Sequence, residues 1–353
     1  MKHATLYERL PDHRVRCDLC AHNCFIDDGK LGTCRVRENR EGELYTHVYG
    51  QVIARHVDPI EKKPLFHFFP GSRAYSVATP GCNFRCRWCQ NSEIAQLPRQ
   101  QPIAAGRETH PEEIVADAQA TNCRSIAYTY TEPTIFFEYA YDTARLAADR
   151  GIHNLLVTNG YMTESMLETF HPFLDAANVD LKAFRDDTYR TYVGGRLQPV
   201  LDNLKTMKRL GIWVEVTMLI VPGLNDDPAE LKEAAAFIAD ELGPQTPWHL
   251  SRFHPAHRMT DTPPTPIATL EMAERIGREA GLRHVYLGNV SNEANTVCHD
   301  CGRLLVRRSA FSAVENRVTG EGACPDCGAI VAGVGMGAAS ANPAAGAAAP
   351  QTK

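Results

Sequence analysis

Along residues 73–290 the hydrophobic and polar positions alternate between two rhythms. Short apolar runs, Tyr75–Ala78, Ile126–Tyr130, Leu155–Thr158, Ala177–Leu181, Trp213–Ile220 and His249–Phe253, read as buried strands. Between them apolar residues repeat at helical spacing over Pro111–Ala120, Ile135–Arg150, Thr163–Phe173, Leu197–Leu210, Pro228–Leu242 and Ile267–Ala280. Gly151, Gly211, Gly243 and Gly281 close four of these segments, as glycine tolerates the left-handed turn that ends a helix. Thr109 is the candidate N-cap of the first helix, with acidic residues in the turn after it. Six strand–helix units of this kind predict an α/β fold, a parallel sheet curled into a partial (β/α)6 barrel. An open doubly wound sheet competes, but no glycine-rich dinucleotide fingerprint follows the first strand.

The flanks break this rhythm. Residues 1–72 form a cysteine-rich extension, with a looser alternation over 44–56 that predicts a hairpin turning at Gly50. Residues 291–332 hold strand-prone Leu304–Val306 and Phe311–Val318 between two cysteine pairs. Residues 333–353 are mostly Gly, Ala, Ser and Pro and are expected to be a disordered tail, because so little apolar surface cannot offset ordering entropy.

Charge and composition narrow the classes. A formal net charge of -5 gives no reason to expect nucleic acid or an anionic membrane as partner. No apolar run is long enough to span a membrane, and the first residues lack the apolar core of a signal peptide. Eleven of the twelve cysteines fall into motifs, and only Cys123 stands alone. Such grouping without an export signal predicts metal sites in a reducing cytoplasm, not disulfides.

The central motif is Cys82, Cys86 and Cys89 in C-x3-C-x2-C spacing, on a loop leaving the first strand. Three thiolates are one short of the four that fill a 4Fe–4S cluster, which leaves one iron open to an outside ligand. A zinc knuckle fits less well, since no fourth His or Cys follows at knuckle spacing. Polar residues then recur at the ends of the later strands: Glu132 in Tyr-Thr-Glu-Pro, Asn159 in Thr-Asn-Gly, Asp180 and Lys182, the Val221-Pro-Gly loop, and His254. In a parallel barrel these ends share one mouth, so the recurrence points to a common pocket. Cys17, Cys20, Cys24 and Cys34 form a second candidate site, for zinc or a second iron–sulfur cluster, with Gly29 and Gly32 easing the loop. Cys298, Cys301, Cys324 and Cys327 make two C-x2-C-x-G knuckles, the layout of a zinc ribbon. Arg303, Arg307, Arg308 and Arg317 give that module a basic face, read as solvated.

The cysteine loop, with Trp88 just before its last cysteine, resembles the radical S-adenosylmethionine (radical SAM) enzymes, and the strand-end residues resemble the pyruvate formate-lyase activase type. The resemblance implies that Cys82, Cys86 and Cys89 hold a 4Fe–4S cluster whose open iron chelates SAM. It implies that Glu132 meets the SAM amino group, that Asn159, Asp180 and Lys182 meet its ribose and carboxylate, and that Trp88, Val221 and His254 lie near the adenine or beside the cofactor. Activases often carry Asp before Thr-Asn-Gly, where this chain has Val157, so an acidic contact there does not carry over. The N-terminal cysteines and the Gly288-Asn289-Val290 entry to the ribbon also resemble the AmmeMemoRadiSam-system radical SAM enzyme. That likeness implies Memo-like and AMMECR-type partners and a low-potential electron donor. The implied activity is reductive cleavage of SAM to a 5'-deoxyadenosyl radical that takes hydrogen from a substrate the sequence does not name. The alternatives are an activase forming a glycyl radical on a partner protein, and a non-catalytic electron-transfer or metal-binding adaptor.

Overall fold

The computed structural model describes residues 1–101, 106–290 and 294–337. Its centre is an eight-stranded sheet in chain order. Strand β1 (Ala54–Pro59) pairs antiparallel with β2 (Arg73–Ala78). Then β3 (Ser125–Tyr128), β4 (His153–Thr158), β5 (Ala176–Asp180), β6 (Trp213–Ile220), β7 (Trp248–Arg252) and β8 (Val285–Gly288) follow, each parallel to its predecessor. The six expected strand–helix units are present. The structure adds β8 after the last helix and recruits β1 from the N-terminal segment.

Helices α1 (Pro111–Ala120), α2 (Phe137–Ala148), α3 (Glu164–Phe170), α4 (Gln198–Arg209), α5 (Pro228–Phe237) and α6 (Ile267–Glu279) connect the strands. Local chemistry sets their ends. Thr163 and Asp227 cap α3 and α5 by accepting the N–H groups of Met166 and Glu230 at 3.2 Å each. The cap of α1 is His110, one residue beyond the expected Thr109, because Glu113 accepts the His110 N–H at 3.0 Å. Helix α4 shows the burial logic of all six: Val200, Leu201, Leu204 and Met207 are buried, while Lys208 and Arg209 complement the dipole at its C-terminus.

The strand registers place Asn178 beside Glu215 and Thr217 beside His249, so inward side chains form rows. A segment between β1 and β2 crosses the hollow of the sheet as a plug. The Glu215 carboxylate accepts the N–H groups of Phe66 at 3.0 Å and His67 at 2.7 Å. Asn178 donates to the Pro64 carbonyl at 2.8 Å, and the Phe66 ring packs on His249 and Tyr286. One short segment thus touches β5, β6, β7 and β8, which requires the sheet to curl. The plug closes the N-terminal half of the hollow and leaves the C-terminal half open. No helix among the described residues is long and apolar enough to cross a membrane.

The flanks depart from the sequence reading in three places. The N-terminal hairpin pairs Arg37–Arg40 with Glu43–Thr46 and turns at Glu41 and Gly42, both at positive φ, not at Gly50. The ribbon strands are β9 (Thr296–Val297), β10 (Leu304–Ser309) and β11 (Ser312–Asn316). Arg308, expected on a solvated face, is fully buried: it donates to the Phe66 carbonyl at 2.8 Å, stacks over the Phe66 ring and docks the ribbon on the plug. The start of the expected tail is ordered too. Val334 exchanges backbone hydrogen bonds of 2.8 Å with His67 and Phe69, and Met336 is buried, because these two side chains are apolar exceptions in a Gly-Ala stretch. The rest of the expected tail, 338–353, lies outside the described residues.

Candidate functional site

The cysteine loop leaves the C-terminal end of β2. Its backbone is pinned from outside, with Arg85 and Arg87 N–H groups donating to the Val193 and Tyr192 carbonyls at 2.9 and 3.0 Å. Phe84 packs so closely on Gly195 that a Cβ there would sit 2.4 Å from the ring. The N–H of Phe84 donates to Cys82 Sγ at 3.3 Å. Cys82, Cys86 and Cys89 all face a cavity of about 310 Å3 at the C-terminal ends of the strands, a size suited to a small ligand.

Glu132, Asn159, Asp180, Lys182 and Trp88 line the same cavity. Glu132 is buried, and Oε1 accepts from Thr134 N–H at 3.0 Å, Thr134 Oγ1 at 2.6 Å and Thr158 Oγ1 at 2.7 Å. Its Oε2 accepts the Asn159 N–H at 2.8 Å. Burial raises the Glu132 pKa, partly offset by these donors. The Asn159 amide is also engaged: Nδ2 donates to Asn83 Oδ1 at 2.8 Å and lies 3.8 Å from Cys82 Sγ, and Oδ1 accepts the Tyr161 N–H at 2.9 Å. Glu132 and Asn159 therefore tie the ends of β3 and β4 to the cysteine loop.

Lys182 donates to Asp180 Oδ2 at 2.7 Å. Burial pulls its pKa down, but the charges of Asp180 and Cys86 outweigh that, so it stays cationic. Burial raises the thiol pKa of all three loop cysteines, with Cys86 pushed up to about 12. These donors lose their protons on binding a metal. Val221 and His254 do not line the cavity: Val221 is fully buried, with its N–H held by Asn225 Oδ1 at 2.7 Å, and His254 is exposed.

The structure adds residues the sequence reading missed. Lys62 and Lys63, from the plug, and Tyr130 line the cavity. Lys62 and Lys63 both pair with Asp58, at 2.9 and 2.8 Å, and the Tyr130 hydroxyl donates to the same carboxylate. Burial opposes ionisation of Asp58, yet Lys63, Tyr130 and Lys62 together hold it well below the usual carboxylate range. Tyr130 adopts a φ of 64°, rare for a bulky side chain, with Asn91 Nδ2 donating to its carbonyl at 2.8 Å. The available signal was a charged Asp58, Glu61, Lys62 and Lys63 set inside an otherwise apolar stretch.

Among the described residues, Cys298, Cys301, Cys324 and Cys327 are the only group whose ligand atoms all lie within 4.8 Å of one another. Cys298 and Cys327 sulfurs are 3.6 Å apart, and those of Cys301 and Cys324 3.7 Å.

Residues 76–237, which span the cysteine loop and β3 to α5, match the radical SAM superfamily. This chain carries a radical SAM domain. An uncharacterized protein of Methanocaldococcus jannaschii is 48% identical over 315 residues, covering 89% of this chain and 93% of that one. The pyruvate formate-lyase-activating enzyme of Clostridium pasteurianum is 26% identical over 175 residues, 48% of this chain and 70% of its own. GTP 3',8-cyclase 2 of Pseudomonas aeruginosa is 26% identical over 259 residues, 65% of this chain and 74% of its own. A radical SAM domain implies an iron–sulfur cluster and SAM. The donor set fits: three sulfurs border one cavity, are not drawn within 4.8 Å of one another as the four ribbon sulfurs are, and share the lining with Glu132, Asp180 and Lys182.

Proposed function

We propose that this chain is a radical SAM enzyme in which Cys82, Cys86 and Cys89 hold a 4Fe–4S cluster and the adjoining cavity takes SAM. The observation that carries the reading is that the three sulfurs share one cavity with Glu132, Asp180 and Lys182. When bound and reduced, such a cluster supplies the electron that cleaves SAM to methionine and a 5'-deoxyadenosyl radical. The protein's part is orientation and exclusion of water. Lys182, kept cationic by Asp180, suits the SAM carboxylate. Glu132 retains acceptor capacity on Oε2 for the SAM ammonium, while its other bonds hold the loop. Asn159 acts by positioning Cys82.

Beyond SAM, the lysines that line the cavity support one class of substrate. Two lysines share one aspartate there beside Tyr130; burial lowers the Lys63 pKa, and the more exposed Lys62 is the cation an incoming ligand would meet. This supports a small substrate with an anionic group, in preference to a peptide loop. Activation of a glycyl radical protein is the second reading, favoured by the kinship with an activating enzyme. The partners remain proposals from sequence resemblance: Memo-like and AMMECR-type proteins.

For the ribbon quartet we propose zinc. Bonds of about 2.3 Å in a tetrahedron put sulfurs roughly 3.8 Å apart, close to the 3.6 and 3.7 Å separations found. Elemental analysis should find one zinc per chain, lost in Cys301→Ser. The radical SAM assignment is tested by electron paramagnetic resonance of the anaerobically reconstituted, reduced protein. Adding SAM should shift the cluster signal, since one iron is open to it. An unchanged spectrum at saturating SAM would count against the assignment.

A further inference from the structure

Cys17, Cys20, Cys24 and Cys34 come from four different local structures yet line one cavity, closed by Ile135 and Arg37. Cys17 ends the strand Val15–Cys17, and its N–H donates to the Cys24 carbonyl at 2.9 Å. Cys20 forms a β-bridge with Met162, just beyond β4. Cys34 sits on the loop before the strand Arg37–Arg40. Their spacing differs from that of the ribbon quartet. Among the described residues the ribbon quartet is the only such group whose sulfurs all lie within 4.8 Å of one another. The N-terminal four are spread wider, as are Cys82, Cys86 and Cys89. Sulfurs held apart around a shared cavity suit a polynuclear centre, in which each thiolate binds its own iron.

Arg37 is a second, independent observation. Its guanidinium is almost wholly buried and lines the same cavity. Nη2 donates to Glu138 Oε2 at 2.5 Å, but Nε and Nη1 have no partner. Buried guanidinium donors without an acceptor are costly, and a cluster with anionic thiolates and bridging sulfides is an acceptor of the right chemistry. Hydrogen bonds to cluster sulfur also tune its potential.

The position of this cavity gives it a role. Arg99 joins the two cysteine systems, with Nη1 donating to the Cys82 carbonyl at 3.1 Å and Nη2 to the carbonyl of Thr33, next to Cys34, at 3.0 Å. His22, between Cys20 and Cys24, meets the Asn83 carbonyl at 2.9 Å and packs on Tyr161 and Phe84. Two separate contacts thus bind the N-terminal cysteine segment to the Cys82 loop, while Cys24 keeps some solvent exposure.

We propose that Cys17, Cys20, Cys24 and Cys34 ligate a second iron–sulfur cluster, with Arg37 donating to it, that relays electrons to the Cys82, Cys86 and Cys89 site. The relay rests on the radical SAM reading for its acceptor; the second cluster does not. In each cycle an external low-potential flavin or iron–sulfur protein loses one electron, the N-terminal cluster gains and passes it on, and the acceptor cluster is reduced by one.

The test uses the full chain with Cys82, Cys86 and Cys89 all replaced by Ala, reconstituted anaerobically with iron and sulfide. It should keep about two to four iron per chain and a paramagnetic signal on reduction with dithionite. Adding Cys17→Ser and Cys20→Ser should remove both. Zinc or no metal at this position in the triple variant overturns the cluster. For the relay, Cys17→Ser/Cys20→Ser in the otherwise native chain should be reduced by flavodoxin hydroquinone at least tenfold more slowly at the remaining cluster, with dithionite still effective. Equal rates with flavodoxin overturn the relay. Iron in the triple variant is read without SAM, so it stands or falls apart from SAM cleavage.

Discussion

The Glu132 carboxylate accepts the main-chain N–H of Asn159 at 2.8 Å, across the gap between the ends of β3 and β4. This bond fixes the Asn159 side chain, which reaches Asn83 and Cys82 in turn. Glu132 is thus a brace for the cysteine loop as well as a candidate SAM ligand. Glu132→Gln should lower stability by about 1.5–3 kcal/mol, the worth of a hydrogen bond to a charged group, and weaken SAM binding roughly tenfold or more. Thermal unfolding and calorimetry read the two effects. A variant unchanged in both would show that the carboxylate neither braces nor binds.

The base of the barrel sets a pH limit. Burial, then the neighbouring His299, lower the His284 pKa to about 3, and burial lowers that of His67 as well. An unfolded histidine titrates near 6.5. Below that pH the unfolded chain binds a proton the folded chain refuses, so stability is full above about 6.5 and falls as pH drops toward 3. Between pH 6.5 and 5, His284 alone should cost about 2 kcal/mol, at about 1.4 kcal/mol per unit. Urea unfolding at several pH values should show a shallower acid dependence in His284→Gln than in the wild type. Parallel curves would contradict this.

Arg308 predicts how the ribbon is held. Its guanidinium lies 3.7 Å from Glu61, both side chains fully buried, and bonds to Phe66 and Thr296. Arg308→Ala strands the Glu61 carboxylate in the interior, a loss of about 3–5 kcal/mol for a buried pair broken on one side. The melting temperature should drop, and limited proteolysis should cut first near the ribbon. An unaltered melting temperature would mean the ribbon does not depend on this contact.

Much of this was legible because it is local. The C-x3-C-x2-C loop, the six strand–helix rhythms and the C-x2-C-x-G knuckles are written in short spacings. Gly302 and Gly328 indeed take φ values of 73° and 77°, the left-handed turns the knuckles need. What was missed is set by pairing between distant segments. Asp58 on β1 meets Tyr130, just beyond the end of β3 and 72 residues later, and Glu215 anchors a plug residue 149 positions earlier. Val285–Gly288 is too short to signal a strand alone and is one because β7 offers it a partner. Arg308 looked like surface charge because its acceptor, the Phe66 carbonyl, is 242 residues away.

The central claim is that Cys82, Cys86 and Cys89 build the centre that cleaves SAM. Its most direct measurement is 5'-deoxyadenosine released by the anaerobically reconstituted full chain with SAM and dithionite. The wild type should form it, and Cys82→Ala, Cys86→Ala and Cys89→Ala should each reduce it to background while zinc at the ribbon persists. Formation at the wild-type rate by any of the three variants would contradict the assignment.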